Sequence, residues 1–289
     1  MLRPRRRGSV STAPALGDGR GSVMPDNPAL NLLRRLEASV TDGPARDADV
    51  DDVGPFRGWL ARHSDSIWLS YAMPIAPLAD AAAVDRAIRE LRQIYGRHRR
   101  VLRFEFTQEL WPTLAPTLEA AGLRFQESHP MMTCTPDEHR PYRRSDVDVR
   151  LLQTDDPDRE LWHYLSVQAT GFGDPPGNPT PDQIERFRGR VRDGLLVALA
   201  RVEGRPAGTG QVSAHGGLGE MVGVATLPEL RRRGVAGTLC SYLLDEVFTR
   251  ANDFVWLDAA DELAQSVYDK LGFRLVGTLL NYIDGQKAL

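Results

Sequence analysis

The sequence predicts an α/β protein whose sheet is mixed, mostly antiparallel and flanked by helices. Segments with the alternating period of a half-buried strand are interleaved with segments of helical period. Glycine- and proline-rich turns separate these segments. In the last third of the chain, the order is strand, glycine turn, helix, strand, helix and strand.

Composition narrows the class of protein. Apolar residues make up 42% of the 289 residues and charged residues 26%, which is typical of globular proteins. The net charge is −3, but residues 1–23 carry five arginines and one acid, so the remainder is close to −7. An acidic body argues against nucleic-acid binding.

The cysteine count and the hydropathy pattern indicate in which cellular compartment the protein is located. The two cysteines, Cys134 and Cys240, do not indicate a disulfide framework, which favours a reducing, cytoplasmic location. No apolar run approaches the roughly 18–20 residues that span a bilayer, so we expect no membrane contact. Residues 1–25 are predicted to be a flexible, arginine-rich tail, and Met24 is an alternative start.

Residues 26–135 are predicted to form a smaller α/β domain. A strand is expected over 67–73, followed by a helix with Val84 and Ile88 on its apolar face. Residues 102–106 alternate as a strand does, and a further helix over 109–121 ends at Gly122. A last strand falls within 128–135. The polar, proline-containing residues 136–147 are predicted to be a linker.

Residues 148–289 are predicted to form a second domain. It begins with a strand over 147–152 and a helix with Pro157 in its first turn. Residues 171–181 are too rich in glycine and proline for regular structure. Thr180 and Gln183 have the spacing of a capping box at the start of the next helix. A hairpin over 195–214 follows.

The next turn carries the chemical signal. A strand ends near residue 228, three arginines and Gly234 follow, and a helix with a one-sided apolar stripe begins at Val235. A helix N-terminus presents unpaired N–H groups and a partial positive charge, and glycine permits close approach, so this turn can hold a diphosphate. A solvated basic turn is the alternative. The turn has neither the P-loop nor the GxGxxG pattern.

Two motifs identify a family. Arg231-x-x-Gly234-x-Ala236 resembles the Gln/Arg-x-x-Gly-x-Gly/Ala signature of the GNAT superfamily of N-acetyltransferases, and residues 224–229 fit the strand before it. Residues 264–273, AQSVYDKLGF, look like the family's Ala-x-x-x-Tyr-x-Lys-x-Gly-Phe segment, and they follow a strand at 254–258. The resemblance extends over about 140 residues. Residues 148–289 are therefore identified as a GNAT-type domain.

The resemblance implies acetyl-CoA as co-substrate and a specific site for it. The pyrophosphate would bind backbone N–H groups between Arg232 and Gly237, helped by Arg231. The pantetheine arm would pair with main chain near Val224 and Thr226, and the Val224 N–H would stabilise the oxyanion. The expected cofactor-binding residues are Val224, Ala225, Thr226, Arg231, Arg232, Arg233, Gly234, Val235, Ala236 and Gly237.

Two residues are candidates for catalysis. Tyr268 matches the tyrosine that protonates the departing thiolate in many members, since a phenol is a neutral donor at pH 7. Glu220 lies eleven residues before Arg231, where some members hold a glutamate that deprotonates the amine, and it would share a strand face with Val224 if the strand is regular. The alternative for Tyr268 is a packed helix residue, and the alternatives for Glu220 are a solvent-facing strand glutamate and a charge that binds the acceptor. Asp261 replaces an asparagine that is frequent in the family.

The N-terminal part resembles half of the same fold. Residues 66–135 repeat the order strand, helix, strand, helix, strand, and LEAAGLRF at 118–125 resembles VYDKLGFRL around Gly272. Aligning Gly122 with Gly272 places Leu118 where Tyr268 stands, which indicates a degenerate copy without cofactor chemistry. An unrelated small α/β domain is the alternative. Its expected role is to cover a sheet edge or to wall the acceptor pocket.

The function predicted is transfer of an acetyl group from acetyl-CoA to a primary amine, with a small molecule as the expected acceptor. No metal is expected, because the histidines are scattered and no cysteine cluster exists. A non-catalytic acyl-CoA sensor is the alternative. The loop at 171–181, which offers Asp174 and Asn178, would shape the acceptor site. A monomer or a homodimer is expected.

Overall fold

The computed structural model describes residues 27–42, 47–174, 178–250 and 252–285; the predicted tail lies outside these ranges. The strands are β1 Ala48–Val53, β2 Phe56–Ala61, β3 Tyr71–Pro74, β4 Arg103–Thr107, β5 Leu123–Cys134, β6 Val147–Leu151, β7 Leu196–Val202, β8 Arg205–His215, β9 Leu218–Thr226, β10 Phe254–Asp258 and β11 Arg274–Asp284. The helices are α1 Pro28–Thr41, α2 Ala81–Arg97, α3 Leu114–Ala120, α4 Asp158–Gly171, α5 Pro181–Arg192, α6 Val235–Phe248 and α7 Glu262–Leu271.

The described strands form one sheet in the order β1-β2-β3-β4-β11-β5-β10-β9-β8-β7-β6. Neighbours are antiparallel except for the pairs β3–β4 and β9–β10, which are parallel. Helices cover both faces: α6 packs on one face through Leu239 and Leu243, and α1 packs on the other through Leu33 and Leu36. The predicted fold class, a mixed and mostly antiparallel sheet flanked by helices, is confirmed.

The two parts of the chain interlock within this sheet. β11, from the C-terminal part, lies between β4 and β5 of the N-terminal part and pairs antiparallel with both. In turn, β5 lies between β11 and β10. The predicted division at 136–147 stays a proposal about domains, but the sheet itself is continuous across it.

The internal repeat is visible in the topology. β3-α2-β4-α3-β5 has the same element order as β9-α6-β10-α7-β11, and each unit contains one parallel strand pair. Gly122 and Gly272 end α3 and α7 with φ of 87° and 101°. Only glycine adopts this left-handed conformation readily, so the same helix stop serves both units.

Several elements differ from the sequence-based expectation. The predicted strand over 67–73 is a 3-10 helix, Ile67–Leu69, followed by β3, because the Ser66 hydroxyl accepts the Trp68 N–H and turns the chain. The predicted helix over 109–121 is confined to α3. Sequence analysis did not identify α1, β1 or β2. The capping box of α5 is confirmed.

None of the helices in the described part of the chain is both long and apolar enough to cross a membrane.

Candidate active site

The turn between β9 and α6 has the features of an anion cradle. Positive φ angles at Arg232 (62°) and Gly234 (78°) fold the chain back before α6 begins. Gly234 is the N-cap of α6 and supplies no side-chain cap, so the first N–H groups of the helix have no acceptor from the capping residue. The side chains of Arg231, Arg232 and Arg233 are exposed. Their charge adds to that of the helix terminus.

The connecting segment lies beside this turn. A Cβ on Gly234 would lie 2.4 Å from Arg144 Cδ and 2.7 Å from Tyr142 Oη, and one on Gly237 would lie 3.1 Å from the Tyr142 ring. The segment is tied to α6 because the Tyr142 N–H donates to Ser241 Oγ at 2.9 Å. Gly234 and Gly237 therefore leave room for the side chains of Tyr142 and Arg144, while Arg231, Arg232 and Arg233 stay exposed.

Arg231 holds the turn in place. Its guanidinium donates to the carbonyl of Thr226 at 3.2 Å and to that of Gly171 at 2.7 Å. These contacts join the end of β9 to the end of α4. In the structure, Arg231 thus anchors the turn to β9 and α4. A direct contact of Arg231 with pyrophosphate stays a prediction.

β9 and β10 diverge beside the turn. Their parallel pairing is recorded from Leu218 to Glu220, although β9 continues to Thr226. On its other side, the register with β8 shifts between Thr209 and Gln211, and Gly223 has φ of 65°. This bulge turns Val224 toward the α6 core. The strand is therefore not regular, so the condition under which Glu220 would share a face with Val224 is not met, whereas Glu220 and Val222 line the same cavity.

Tyr268 lies on α7 and packs in the hydrophobic core beneath α6. Its side chain is buried, and its ring packs edge-on against Phe273 at 5.6 Å. Burial, with smaller effects of Cys240 and Asp258, raises the pKa of the phenol well above its usual value. The hydroxyl therefore keeps its proton across the physiological range.

A cavity of about 670 Å³ opens on the sheet face opposite α6. The side chains of five successive strands form its floor: Glu220 (β9), Asp258 (β10), Glu127 and His129 (β5), Asn281 (β11) and Glu105 (β4). Trp59, Trp68 and Tyr71 form an aromatic wall. Both parts of the chain thus line one cavity, whose volume suits a small molecule.

The cavity floor is strongly acidic. Burial raises the pKa of Glu220 to about 7, with further increases from the charges of Asp258 and Glu105. Burial also raises the pKa of Glu105 to about 7, although the nearby Arg103 opposes this. A carboxylate that titrates near neutrality suits general-base chemistry.

Asp258 connects these groups. It accepts a hydrogen bond from His129 at 2.8 Å, and this bond is the main reason that the pKa of His129 is raised. The charge of Asp258 also raises the pKa of Glu220 and of Tyr268. The charge of Asp258 therefore affects the pKa of both candidate catalytic residues.

Sequence analysis missed the contribution of the N-terminal part to this floor. Glu105 was visible as the polar partner of Phe104 and Phe106 in an alternating strand, but nothing local indicated that this polar face would be buried. His129 and Asp258 are far apart in sequence, and only the β5–β10 pairing brings them together.

The remaining predicted residues have clear places. Asp261 caps α7 by accepting the Ala264 N–H at 2.7 Å, which explains how an aspartate replaces the family's asparagine. Asn178 accepts from Trp162 Nε1 at 3.0 Å. Cys134 and Cys240 are buried free thiols, and burial raises the pKa of each to about 12. The described residues hold no group of three or more potential metal ligands.

The two half-buried carboxyls of the cavity floor predict how stability changes with pH. Glu105 and Glu220 keep their protons to about pH 7 in the folded protein but lose them near 4.5 when unfolded. The folded state binds more protons between these values, so stability falls as pH rises from about 4.5 through about 7. We expect the melting temperature to be several degrees lower at pH 8 than at pH 5, and Glu220→Gln to reduce the difference. Glu229→Gln, which alters an exposed glutamate, should leave the difference in melting temperature unchanged. A melting temperature of the unaltered protein that is equal or higher at pH 8 than at pH 5 would contradict the raised pKa values of Glu105 and Glu220.

Comparison with known proteins agrees with this geometry. Residues 159–273 match the model of the acetyltransferase (GNAT) family. No curated protein matches the chain.

Solved structures match over most of the chain. A GCN5-related N-acetyltransferase from Kribbella flavida is 23% identical with a TM-score of 0.72, covering 89% of this chain and 97% of its own. One from Sphaerobacter thermophilus is 17% identical with a TM-score of 0.61, covering 90% and 86%. A tandem GNAT protein from the clavulanic acid biosynthesis pathway is 16% identical with a TM-score of 0.59, covering 87% and 88%. At these identities the likeness concerns the fold.

The family model and the fold together support acyltransferase activity. Residues 159–273 form a domain of the acetyltransferase (GNAT) family. A half-GNAT arrangement of the N-terminal part is consistent with the likeness to a tandem member.

Proposed function

We propose that this protein transfers the acetyl group of acetyl-CoA to a primary amine of a small molecule, by direct attack of the amine on the thioester. One observation carries the proposal: Glu220, a half-buried carboxyl with a pKa of about 7, lines the cavity where β9 and β10 begin to diverge. In the proposed arrangement, the Glu220 carboxyl and the thioester of acetyl-CoA lie next to each other at that point.

Acetyl-CoA is held by main chain in this proposal. The pyrophosphate binds N–H groups between Arg232 and Gly237, where the N-cap of α6 leaves them without a side-chain acceptor. The pantetheine arm pairs with β9 between Val224 and Thr226, on the side that β10 leaves open. The bulge at Gly223 frees the Val224 N–H to stabilise the oxyanion of the tetrahedral intermediate.

The proposed reaction involves proton transfer at both the amine and the sulfur. The acceptor ammonium gives one proton to the Glu220 carboxylate, and the neutral amine nitrogen forms a bond to the thioester carbon. The nitrogen of the tetrahedral intermediate loses its second proton to water. When the carbon–sulfur bond breaks, its electron pair stays on sulfur, and the Tyr268 hydroxyl donates a proton to the departing thiolate. The Tyr268 phenolate then regains a proton from water, and Glu220 releases its proton to solvent. The products are an amide and coenzyme A with a free thiol.

The test is an acceptor screen with acetyl-CoA in which the free thiol is followed. Thiol release that depends on a primary amine supports the proposal. Binding of acetyl-CoA without thiol release for any amine would favour the acyl-CoA sensor instead.

Replacement of Tyr268 by phenylalanine tests the proton donor. The variant keeps the ring that packs on Phe273, so the fold should be retained. We expect kcat to fall about 10- to 100-fold with little change in the KM for acetyl-CoA, because only the protonation of the thiolate is impaired. Steady-state rates measure this, with Tyr242→Phe on α6 as the control. A kcat within twofold of the unaltered protein would remove Tyr268 from the mechanism.

A further inference from the structure

The arginines of α5 fall into two pairs with different surroundings. Arg188 donates to Asp158 at 2.5 Å and to two main-chain carbonyls, and Arg192 faces Glu185 at 3.5 Å. Arg186 and Arg190 lie one helical turn apart and line the cavity. Within the described part of the chain, neither of these two forms an ion pair with a carboxylate.

Arg190 reaches into the cavity. It is half-buried, and its charge acts on Tyr164: burial raises the pKa of that phenol, and Arg190 opposes the rise. The Tyr164 hydroxyl donates to Gln211 Oε1 at 3.2 Å, and Gln211 pairs with Val222 two residues from Glu220. Arg190 therefore lies toward the strands that carry the candidate base.

The cavity consequently holds charges of both signs. Glu105, Glu127 and Glu220 are on its floor, while Arg186 and Arg190 are on its α5 side. Asp47, His63 and Asp193 lie on the same side, and Asp193 is already engaged. A half-buried guanidinium without a counterion is unfavourable, and an anionic ligand group would compensate it. A guanidinium pair is well suited to bind a carboxylate or a phosphate.

We propose that the acceptor carries an anionic group, a carboxylate or a phosphate, in addition to its primary amine, and that Arg186 and Arg190 bind this group while the amine faces Glu220. The inference rests on the proposed acetyl transfer and narrows its substrate class. The aromatic wall of Trp59, Trp68 and Tyr71 would contact the spacer between the two groups.

Matched amines test this class. Thiol release from acetyl-CoA is measured with ω-amino carboxylates of increasing chain length, with O-phosphoethanolamine, and with alkylamines and diamines of the same lengths. We expect kcat/KM at least tenfold higher for an amine with an anionic group than for its alkylamine counterpart. The carboxylate and phosphate arms show which anion is preferred.

Variants then place the anion on α5. Arg190→Gln should raise the KM for the anionic acceptor at least tenfold and leave the KM for acetyl-CoA and for the alkylamine unchanged. Arg192→Gln, an arginine of the same helix that is paired outside the cavity, should have no effect. Preference for alkylamines or diamines, or an equal effect of Arg190→Gln on all acceptors, would overturn the inference while leaving acetyl transfer intact. Absence of thiol release with every amine would instead overturn the proposed function.

Discussion

Replacement of Glu220 by glutamine is expected to lower kcat/KM for amine acetylation about 100-fold or more, the range over which a positioned general base contributes. The proposed reaction requires a neutral amine, and Glu220 is the half-buried carboxyl that removes its proton. The fold should tolerate the change, since a carboxyl with a pKa of about 7 is already half protonated at neutral pH. The melting temperature at pH 8 should not fall.

The pH dependence of kcat/KM provides a second test of Glu220 as the base. A general base acts when it is deprotonated, so kcat/KM should rise with pH through about 7 and then level off. Glu220→Gln should lack this ascending limb. Glu105→Gln should keep it but move it to lower pH, because the charge of Glu105 is one of the causes that raise the pKa of Glu220.

The control for both variants is Glu229→Gln, which alters an exposed glutamate on the turn after β9. Its profile should match that of the unaltered protein. If Glu220→Gln retained more than half of the activity with an unchanged pH limb, the base would have to be sought elsewhere on the cavity floor.

Replacement of Gly272 by alanine is expected to cause the largest loss of stability. Gly272 has φ of 101°, and a Cβ there would lie 2.0 Å from the carbonyl oxygen of Glu138. The neighbouring chain cannot yield easily, since the Arg140 N–H donates to Leu271 O at 2.9 Å and the Glu138 carboxylate binds Arg274. Strain and displacement together should cost about 3 kcal/mol or more.

A thermal melt measures this effect, with a fall of roughly 5 to 10 °C expected. Gly189→Ala is the matched control, because Gly189 lies inside α5 and a Cβ there would have no neighbour within 4 Å. That variant should be neutral or up to about 1 kcal/mol more stable, as alanine favours helix. Equal melting temperatures for the two variants would show that the connecting segment adapts freely.

Local signals in the sequence predicted local structure well. The glycine stops at Gly122 and Gly272, the capping box at Thr180 and the start of α6 at Val235 all depend on residues a few positions apart, and the structure contains each of them. Where a side chain competed with the expected backbone pattern, as Ser66 does before the 3-10 helix, the prediction was wrong.

The cavity floor could not be predicted in the same way. Whether Glu105 faces solvent or a cavity depends on which strand lies beside β4, and that strand is β11, about 175 residues further along the chain. The bulge at Gly223 likewise required the register of two strands. Candidate residues within the motifs were accessible from sequence, whereas the residues that complete their surroundings were not.

The position of β11 has a consequence for synthesis. β4 and β5 emerge from the ribosome early but are not adjacent in the finished sheet, because the strand that separates them is translated after all the other described strands. Until residue 284 is available, both strands expose unpaired edges, a state that invites incorrect pairing. Nascent chains should therefore depend on chaperones until β11 has been synthesised, and separately expressed halves should become soluble chiefly when they are produced together.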